Sequence, residues 1–558
     1  MVTAKPSILE SRQDQLFPKL DAVEIERLQR FGAVSCFAAG EALAEVGKVN
    51  PGLVLVLAGE VETTRRDVLG NHQLIYTHRP GSFMGELAQL AGRPSLVDAR
   101  TTMKVRALII PPEKLRALLV GEAEIGEKIM RALILRRVGL IEAGAGGPII
   151  IGRADDGDVL EMEGFLSRNG HPFQHLDPER DTEAETLIEK FQLDPARLPV
   201  VLCPDGTFRY SPSEDELARC LGLVRAIDAT HLYDLAIVGA GPAGLATAVY
   251  AGSEGLSVLV IDCRAFGGQA GASSRIENYL GFPTGIGGMQ LMARAYTQAQ
   301  KFGVEMAIPD EVGTLEASPS GEAQWALRLI NGERALARAV VIASGARYRR
   351  LQLHNLAEFE ASSVHYWASP LEAKLCAGQE VALVGAGNSA GQAIVYLARR
   401  ARKVWVLVRG DSLEKSMSRY LIDRISGFAN VEVLTGAQIT RLDGANGVLD
   451  SVTSRQRGDE VTHRIGHLFL FIGADPNTDW LEGTGVDRDP KGFILTGSAA
   501  GRAGAHSLET SLPGVFAIGD VRAGSVKRVA AAVGEGAQAV AGIHALLLAG
   551  ANPPSPGA

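Results

Sequence analysis

Two short glycine-rich stretches carry the clearest chemistry in this sequence. The first is Asp234-Leu-Ala-Ile-Val-Gly239-Ala-Gly241-Pro-Ala-Gly244, an apolar strand running into a G-x-G-x-x-G turn. Gly239 permits a tight turn, Gly241 lets a pyrophosphate approach the backbone, and Gly244 lets a helix pack closely on the strand. A second apolar strand, Ser257–Ile261, ends in Asp262, 23 residues past Gly239. A carboxylate there can accept hydrogen bonds from a ribose diol. The second stretch, Glu380-Val-Ala-Leu-Val-Gly385-Ala-Gly387-Asn388-Ser389-Ala390, repeats this grammar 146 residues later, with Ala390 in place of the third glycine. Its following strand, Lys403–Val408, ends in Arg409, and a guanidinium there favours a ribose 2′-phosphate over a 2′-hydroxyl. The spacing therefore predicts two separate dinucleotide sites.

Further segments narrow the choice. Gly267-Gly268-Gln269 and Glu277-Asn278-Tyr279-Leu280-Gly281-Phe282-Pro283 follow the first site; Gly514-Val-Phe-Ala-Ile-Gly519-Asp520 and Lys527-Arg528-Val529 come near the C-terminus. With these, residues 231–550 resemble the flavoprotein pyridine-nucleotide oxidoreductases, specifically the low-molecular-weight thioredoxin reductase group. The resemblance implies FAD held by Gly239, Gly241, Gly244, Asp262, Gly268, Gln269, Asn278, Gly519, Asp520, Lys527, Arg528 and Val529. It implies NADPH, with NADH as the alternative, on Gly385, Gly387, Asn388, Ser389 and Arg409. It also implies a homodimer and a swivel of one nucleotide domain on the other. The basic run expected around Arg409 is only partly present, since Val408 and Gly410 flank it.

One expected feature is missing. The resembled group carries a C-x-x-C just before the second glycine turn, and that motif falls here on Ala368-Ser369-Pro370-Leu371. None of these supplies a thiolate. Cys376 lies nearby but alone, and reads as a small buried hydrophobe. Between Pro148 and Leu223 the pattern alternates strand and helix in a unit of thioredoxin-like size, with Leu198-Pro199 where that fold usually places a cis-proline. After its first strand it reads Gly152-Arg-Ala-Asp-Asp-Gly157, without cysteine. Cys203 in this unit is expected to serve packing.

Residues 21–140 alternate short apolar runs with turns, as a small β-roll does. The segment Phe83-Met84-Gly85-Glu86-Leu87-Ala88-Gln89-Leu90-Ala91-Gly92-Arg93-Pro94-Ser95 resembles the phosphate cassette of cyclic nucleotide-binding domains. The resemblance implies a cyclic nucleotide over Gly85, Glu86 and Leu87, with Glu86 on the ribose 2′-OH. Ser95 stands where an arginine normally meets the cyclic phosphate, and Arg93 lies on the other side of Pro94. A docking or dimerisation role for this roll is the alternative.

The remaining sequence sets the frame. The chain has 558 residues, long enough for three or four domains, and is 46% hydrophobic and 22% charged. Its net charge of −8 argues against a nucleic-acid partner. Five widely spaced cysteines do not make a disulfide scaffold and suit a reducing compartment. The polar start does not read as a signal peptide, and the late apolar stretch Ala541–Ala551 is too short to span a bilayer. A cytoplasmic protein without a metal site is expected.

The predicted fold is multidomain α/β, with two nested Rossmann-like domains behind a β-roll and a thioredoxin-like domain. The expected boundaries are 1–142 (β-roll with C-terminal helices), 148–223 (thioredoxin-like), 231–348 and 474–551 (FAD half), 349–473 (NAD(P)H half), and 552–558 (a disordered tail). The expected function is an FAD-dependent NAD(P)H oxidoreductase with a cyclic-nucleotide-type regulator and an acceptor reached without the usual dithiol. That acceptor includes a redox protein such as thioredoxin, ferredoxin or flavodoxin. Two rivals are a ferredoxin (or flavodoxin)–NADP reductase-like enzyme and a flavin-based, cyclic-nucleotide-responsive signalling protein whose flavin state is the input or output.

Overall fold

A computed structural model describes residues 13–66, 71–85, 90, 93–142, 147–204, 206–224, 226–273, 275–318, 324–360, 362–368, 370–456, 458–502 and 506–551. Glu86, Leu87, Ser369 and the tail beyond residue 551 lie outside the described residues.

The N-terminal strands form two four-stranded antiparallel sheets. One runs in the order Ala33–Phe37, Val105–Ile110, Leu53–Ala58, Phe83–Met84; the other runs Ala42–Ala44, Asp98–Thr101, Val61–Arg66, His72–His78. Period-two alternation explains why Leu53 to Val56 is buried throughout. Leu53 and Leu55 pack on helices Pro112–Gly121 and Ala123–Glu142, while Val54 and Val56 face the inside of the roll with Met84 and Ala99.

The next unit has a four-stranded sheet in the order Gln174–Leu176, Ile149–Ile151, Val200–Leu202, Phe208–Tyr210. The first pair is parallel and the other two are antiparallel. Helices Gly157–Arg168, Thr182–Phe191 and Glu214–Cys220 flank it. Ser213 and Glu216 close a capping box at the start of the last helix, satisfying its first free N–H groups. The Leu198–Pro199 peptide is cis. Phe208–Tyr210 is a strand that the sequence pattern did not announce. The structure also corrects the reading of the cysteines, because Cys203 is disulfide-bonded to Cys220. Tertiary packing brings the strand end and the helix end together, with Cα atoms 5.9 Å apart, across 17 residues of sequence.

The first nucleotide half is built on a seven-stranded sheet. Five strands are parallel: Glu305–Ala307, Val258–Ile261, Leu232–Val238, Arg334–Ile342 and Val515–Ala517. Parallel strands covered on both faces need continuous apolar runs, and Leu235 to Ile237 and Val340 to Ile342 are fully buried. Helices Pro242–Ser253, Gly288–Lys301 and Val529–Ala551 belong to this half. The last is longer than its apolar end suggested, and by length and composition alone it is long enough to cross a membrane. Here Ala532, Ala539, Val540 and Ile543 are buried in the same core as helix Pro242–Ser253.

The second half inserts between strands Arg334–Ile342 and Val515–Ala517. Its five parallel strands run Val364–His365, His467–Leu470, Glu380–Val384, Lys403–Val408, Val431–Thr435. The chain crosses between the halves twice, and the crossing segments pair as the two-stranded sheet Ala346–Tyr348 with Ala474–Pro476.

Candidate functional site

The first glycine turn sits where strand Leu232–Val238 ends and its helix begins. Gly239 has φ +112°, and a Cβ there would lie 2.2 Å from the Ala343 carbonyl oxygen. Gly244 is equally constrained, since its Cβ would come 1.8 Å from the Gly239 oxygen. Gly241 differs: the nearest atom to its Cβ position is 4.0 Å away. Two of these glycines shape the turn and the third leaves room for a phosphate over the helix N-terminus.

Asp262 closes the turn from the neighbouring strand. Its Oδ2 accepts from Ala240 N–H at 2.8 Å, and Oδ1 accepts from the N–H groups of Arg264 and Ala265 at 3.1 and 3.2 Å. Burial pushes its pKa up, and the three backbone donors oppose that rise. Asp262 therefore organises the loop as well as lining the cavity.

That cavity has a volume of about 570 Å³ and collects most of the predicted first-site residues. Gly241, Asp262, Gly268, Gln269, Gly519, Asp520, Lys527, Arg528 and Val529 line it, with Ala368 and, from the second half, Ser389. Gly239 and Gly244 are not among its lining residues and serve close backbone packing. Asn278 is exposed and does not line it, so the structure does not bring that predicted residue to the site. Glu535, which sequence reasoning missed, accepts from Gly519 N–H at 2.6 Å and pairs with Arg522 at 2.5 Å, fixing the Gly519-Asp520 turn. Burial raises the Asp520 carboxyl, and Lys527 works against that rise.

The second turn repeats the geometry. Gly385 has φ +145° and packs against the Phe471 carbonyl, while nothing lies within 4 Å of the Gly387 Cβ position. Asn388 Oδ1 accepts from Ser418 N–H at 2.7 Å and so positions a neighbouring loop. Arg409 projects from the strand end into solvent, and among the described residues it makes no hydrogen bond or ion pair. Ala368 is buried, Pro370 and Leu371 begin the short helix Pro370–Leu375, and Cys376 is fully buried with its thiol pushed up to about 12. No thiol occupies the described part of the expected dithiol segment.

In the β-roll, Gly85 and Ser95 line a cavity with Thr63, His78 and Arg136. Ser95 Oγ donates to Val97 O at 2.9 Å, and Arg136 donates to the carbonyls of Leu16, Phe83 and Gly85. Arg93 leaves the roll and donates to Tyr296 of the first nucleotide half. Arg93 thus stands at a contact between domains and is not among the residues lining the cavity of Gly85 and Ser95.

Two strand–glycine–helix turns, the first lining the cavity through Gly241 and the second reaching it through Ser389, define a two-dinucleotide fold. Residues 233–536 match the pyridine nucleotide-disulphide oxidoreductase family, and residues 34–121 match the cyclic nucleotide-binding domain. The chain is 31% identical over 315 residues to a thioredoxin reductase of Bacillus subtilis, covering 56% of this chain and 94% of that one. It is 30% identical over 309 residues to a bifunctional thioredoxin reductase/thioredoxin of Mycobacterium leprae, covering 55% of this chain and 64% of that one. The crystal structure of T. acidophilum thioredoxin reductase superposes with a TM-score of 0.52 at 26% identity, covering 57% of this chain and 99% of that one. The chain belongs to the pyridine nucleotide-disulphide oxidoreductase family and is an FAD-dependent oxidoreductase carrying an N-terminal cyclic nucleotide-binding domain. Its family pairs a flavin with a nicotinamide cofactor.

Proposed function

We propose that this protein oxidises NADPH at the cavity between its two nucleotide halves and passes the electrons to an acceptor that enters that cavity directly. The observation that carries the reading is the cavity itself, where Ser389, Gln392 and Phe471 of one half face Gly241, Gln269 and Asp520 of the other. The residues fit a flavin dinucleotide: open space over Gly241 takes its pyrophosphate, and the Glu535-braced turn at Gly519 presents Asp520. When bound, the flavin supplies hydride-accepting and electron-donating chemistry. The chain's own part is to hold both nucleotides, to exclude water and to admit the acceptor.

NADPH is the preferred donor in this reading, because Arg409 is free to meet a 2′-phosphate. The route used by a C-x-x-C is closed, since Ala368 stands at its first position. The N-terminal domain is the regulator, and the Arg93–Tyr296 contact gives it a handle on the redox half.

Anaerobic stopped-flow mixing of the flavin-loaded protein with NADPH tests this reading, run with and without cyclic AMP. Fast loss of flavin absorbance is expected. A flavin that stays oxidised would overturn the reading, and a rate indifferent to cyclic AMP would remove that ligand as the effector.

A further inference from the structure

Arg168 is the last residue of helix Gly157–Arg168 in the thioredoxin-like unit, yet it lines the cavity between the two nucleotide halves. Its guanidinium lies 4.1 Å from the ring centroid of Trp367. Trp367 directly precedes Ala368 and is fixed by an Nε1–H bond of 2.8 Å to the buried Glu372. Among the described residues Arg168 makes no hydrogen bond and no ion pair. Burial pulls its pKa down to about 10, with Arg264 adding repulsion and Glu214 and Glu372 opposing it. A guanidinium presents five donors, and those of this half-buried side chain face the cavity without an acceptor from the described residues. Its backbone setting is firm, because Asn169 Nδ2 donates to Arg264 O at 3.2 Å and Arg137 donates to Gly170 O at 2.7 Å.

The phosphates of the two nucleotides do not need this group. In the proposed function, the helix starting after Gly241 takes one pyrophosphate, the helix starting after Gly387 takes the other, and Arg409 takes the 2′-phosphate. The other five cations of the cavity are engaged: Arg264 pairs with Glu214, Arg275 donates to Thr284 O, Arg347 pairs with Asp479, Lys527 lies over Phe493, and Arg528 donates to the Lys527 carbonyl. Of the groups around Arg168, Trp367, Tyr348 and Glu372 belong to the crossing segment and the second half, while Arg264 comes from the loop after Asp262 and Glu214 from the thioredoxin-like unit.

Resting on the proposed oxidoreductase reading, we infer that Arg168 and Trp367 form the binding site of a small electron acceptor bearing a carboxylate, sulfonate or phosphate. Arg168 grips the anion through paired N–H donors, and Trp367 holds the guanidinium plane. With a quinone as acceptor the balance is NADPH + H⁺ + quinone → NADP⁺ + hydroquinone. The nicotinamide C4–H bond breaks, two electrons reach the quinone, and both of its oxygens end protonated.

The test compares naphthoquinone with its sulfonate, so that intrinsic reactivity cancels in the ratio of kcat/KM between wild type and variant. Losing a charge-assisted bond lowers the preference for the sulfonate about ten- to hundredfold in Arg168→Gln. Arg168→Lys, which keeps the charge without the fork, returns part of it. A preference unchanged in Arg168→Gln would overturn the proposal, as would a variant that purifies stripped of FAD, since the guanidinium would then serve the cofactor. Calorimetric binding of redox-inert naphthalene sulfonate to both proteins reads the site without turnover. If NADPH fails to reduce the flavin but this binding still depends on Arg168, the oxidoreductase reading falls and the anion site stands. Equal binding overturns the site alone.

Discussion

Arg93 Nη2 donates to the hydroxyl of Tyr296 at 2.9 Å, with the guanidinium 5.9 Å from the same ring. Tyr296 stacks on Phe266 at 4.3 Å, and Phe266 lines the large cavity. One side chain of the cassette region is thus two contacts from the redox site. Removing the hydroxyl in Tyr296→Phe costs about 1 kcal/mol of docking free energy, and Arg93→Ala adds little beyond it. Hydrogen exchange across residues 288–301 should speed up in both variants. Unchanged exchange would mean that the contact does not hold the domains together.

The three glycines of the first turn are expected to fail in different ways. Gly244→Ala forces a methyl into the Gly239 carbonyl and destabilises the fold by about 2 kcal/mol or more. Gly241→Ala meets open space, so its FAD-free form should melt like FAD-free wild type while it fails to retain FAD. Melting temperature and flavin-to-protein ratio separate the two, and a Gly241→Ala protein with full flavin would contradict the phosphate role.

Arg409 decides between donors. Arg409→Ala should raise KM for NADPH about ten- to hundredfold and leave NADH nearly unchanged. An unaltered KM for NADPH sinks the assignment.

Asp310 offers a pH signature. Burial raises its carboxyl to about 6, aided by Glu333 and Asp215 and opposed by Arg219, while Asn331 donates to one oxygen and the other is unpaired. The folded chain therefore holds this proton more tightly than the unfolded chain. Stability falls as pH rises from the ordinary 3.8 towards about 6, and the penalty is complete above that. Asp310→Asn should gain on the order of 1–2 kcal/mol at pH 8, allowing for solvent screening. Denaturant titrations at pH 8 and pH 4.5 should show the gain shrinking at the lower value.

The glycine turns were legible because every determinant of a strand–turn–helix phosphate loop lies within a dozen residues. The nesting was legible too, since Gly519-Asp520 returns after the second turn. Arg168 carried no local signal, because it ends an ordinary amphipathic helix and gains meaning only from Trp367, 199 positions away. The Cys203–Cys220 pair escaped for the same reason. Pro94 separates Arg93 from Ser95, the position where the resemblance places a phosphate contact, and the Arg93 side chain meets Tyr296. Asn278 fits the motif and stands outside the cavity.

Strand Val515–Ala517 lies beside Arg334–Ile342, with the whole second half between them in the chain. A ribosome emitting this polypeptide completes the second half while the first still lacks its neighbouring strand and the helix Val529–Ala551. The nascent first half must wait, with the apolar faces of Leu235 to Ile237 and Val340 to Ile342 short of their final cover, for about 170 residues of synthesis. Pausing or truncation before residue 515 would therefore release a folded second half tethered to an open, aggregation-prone sheet.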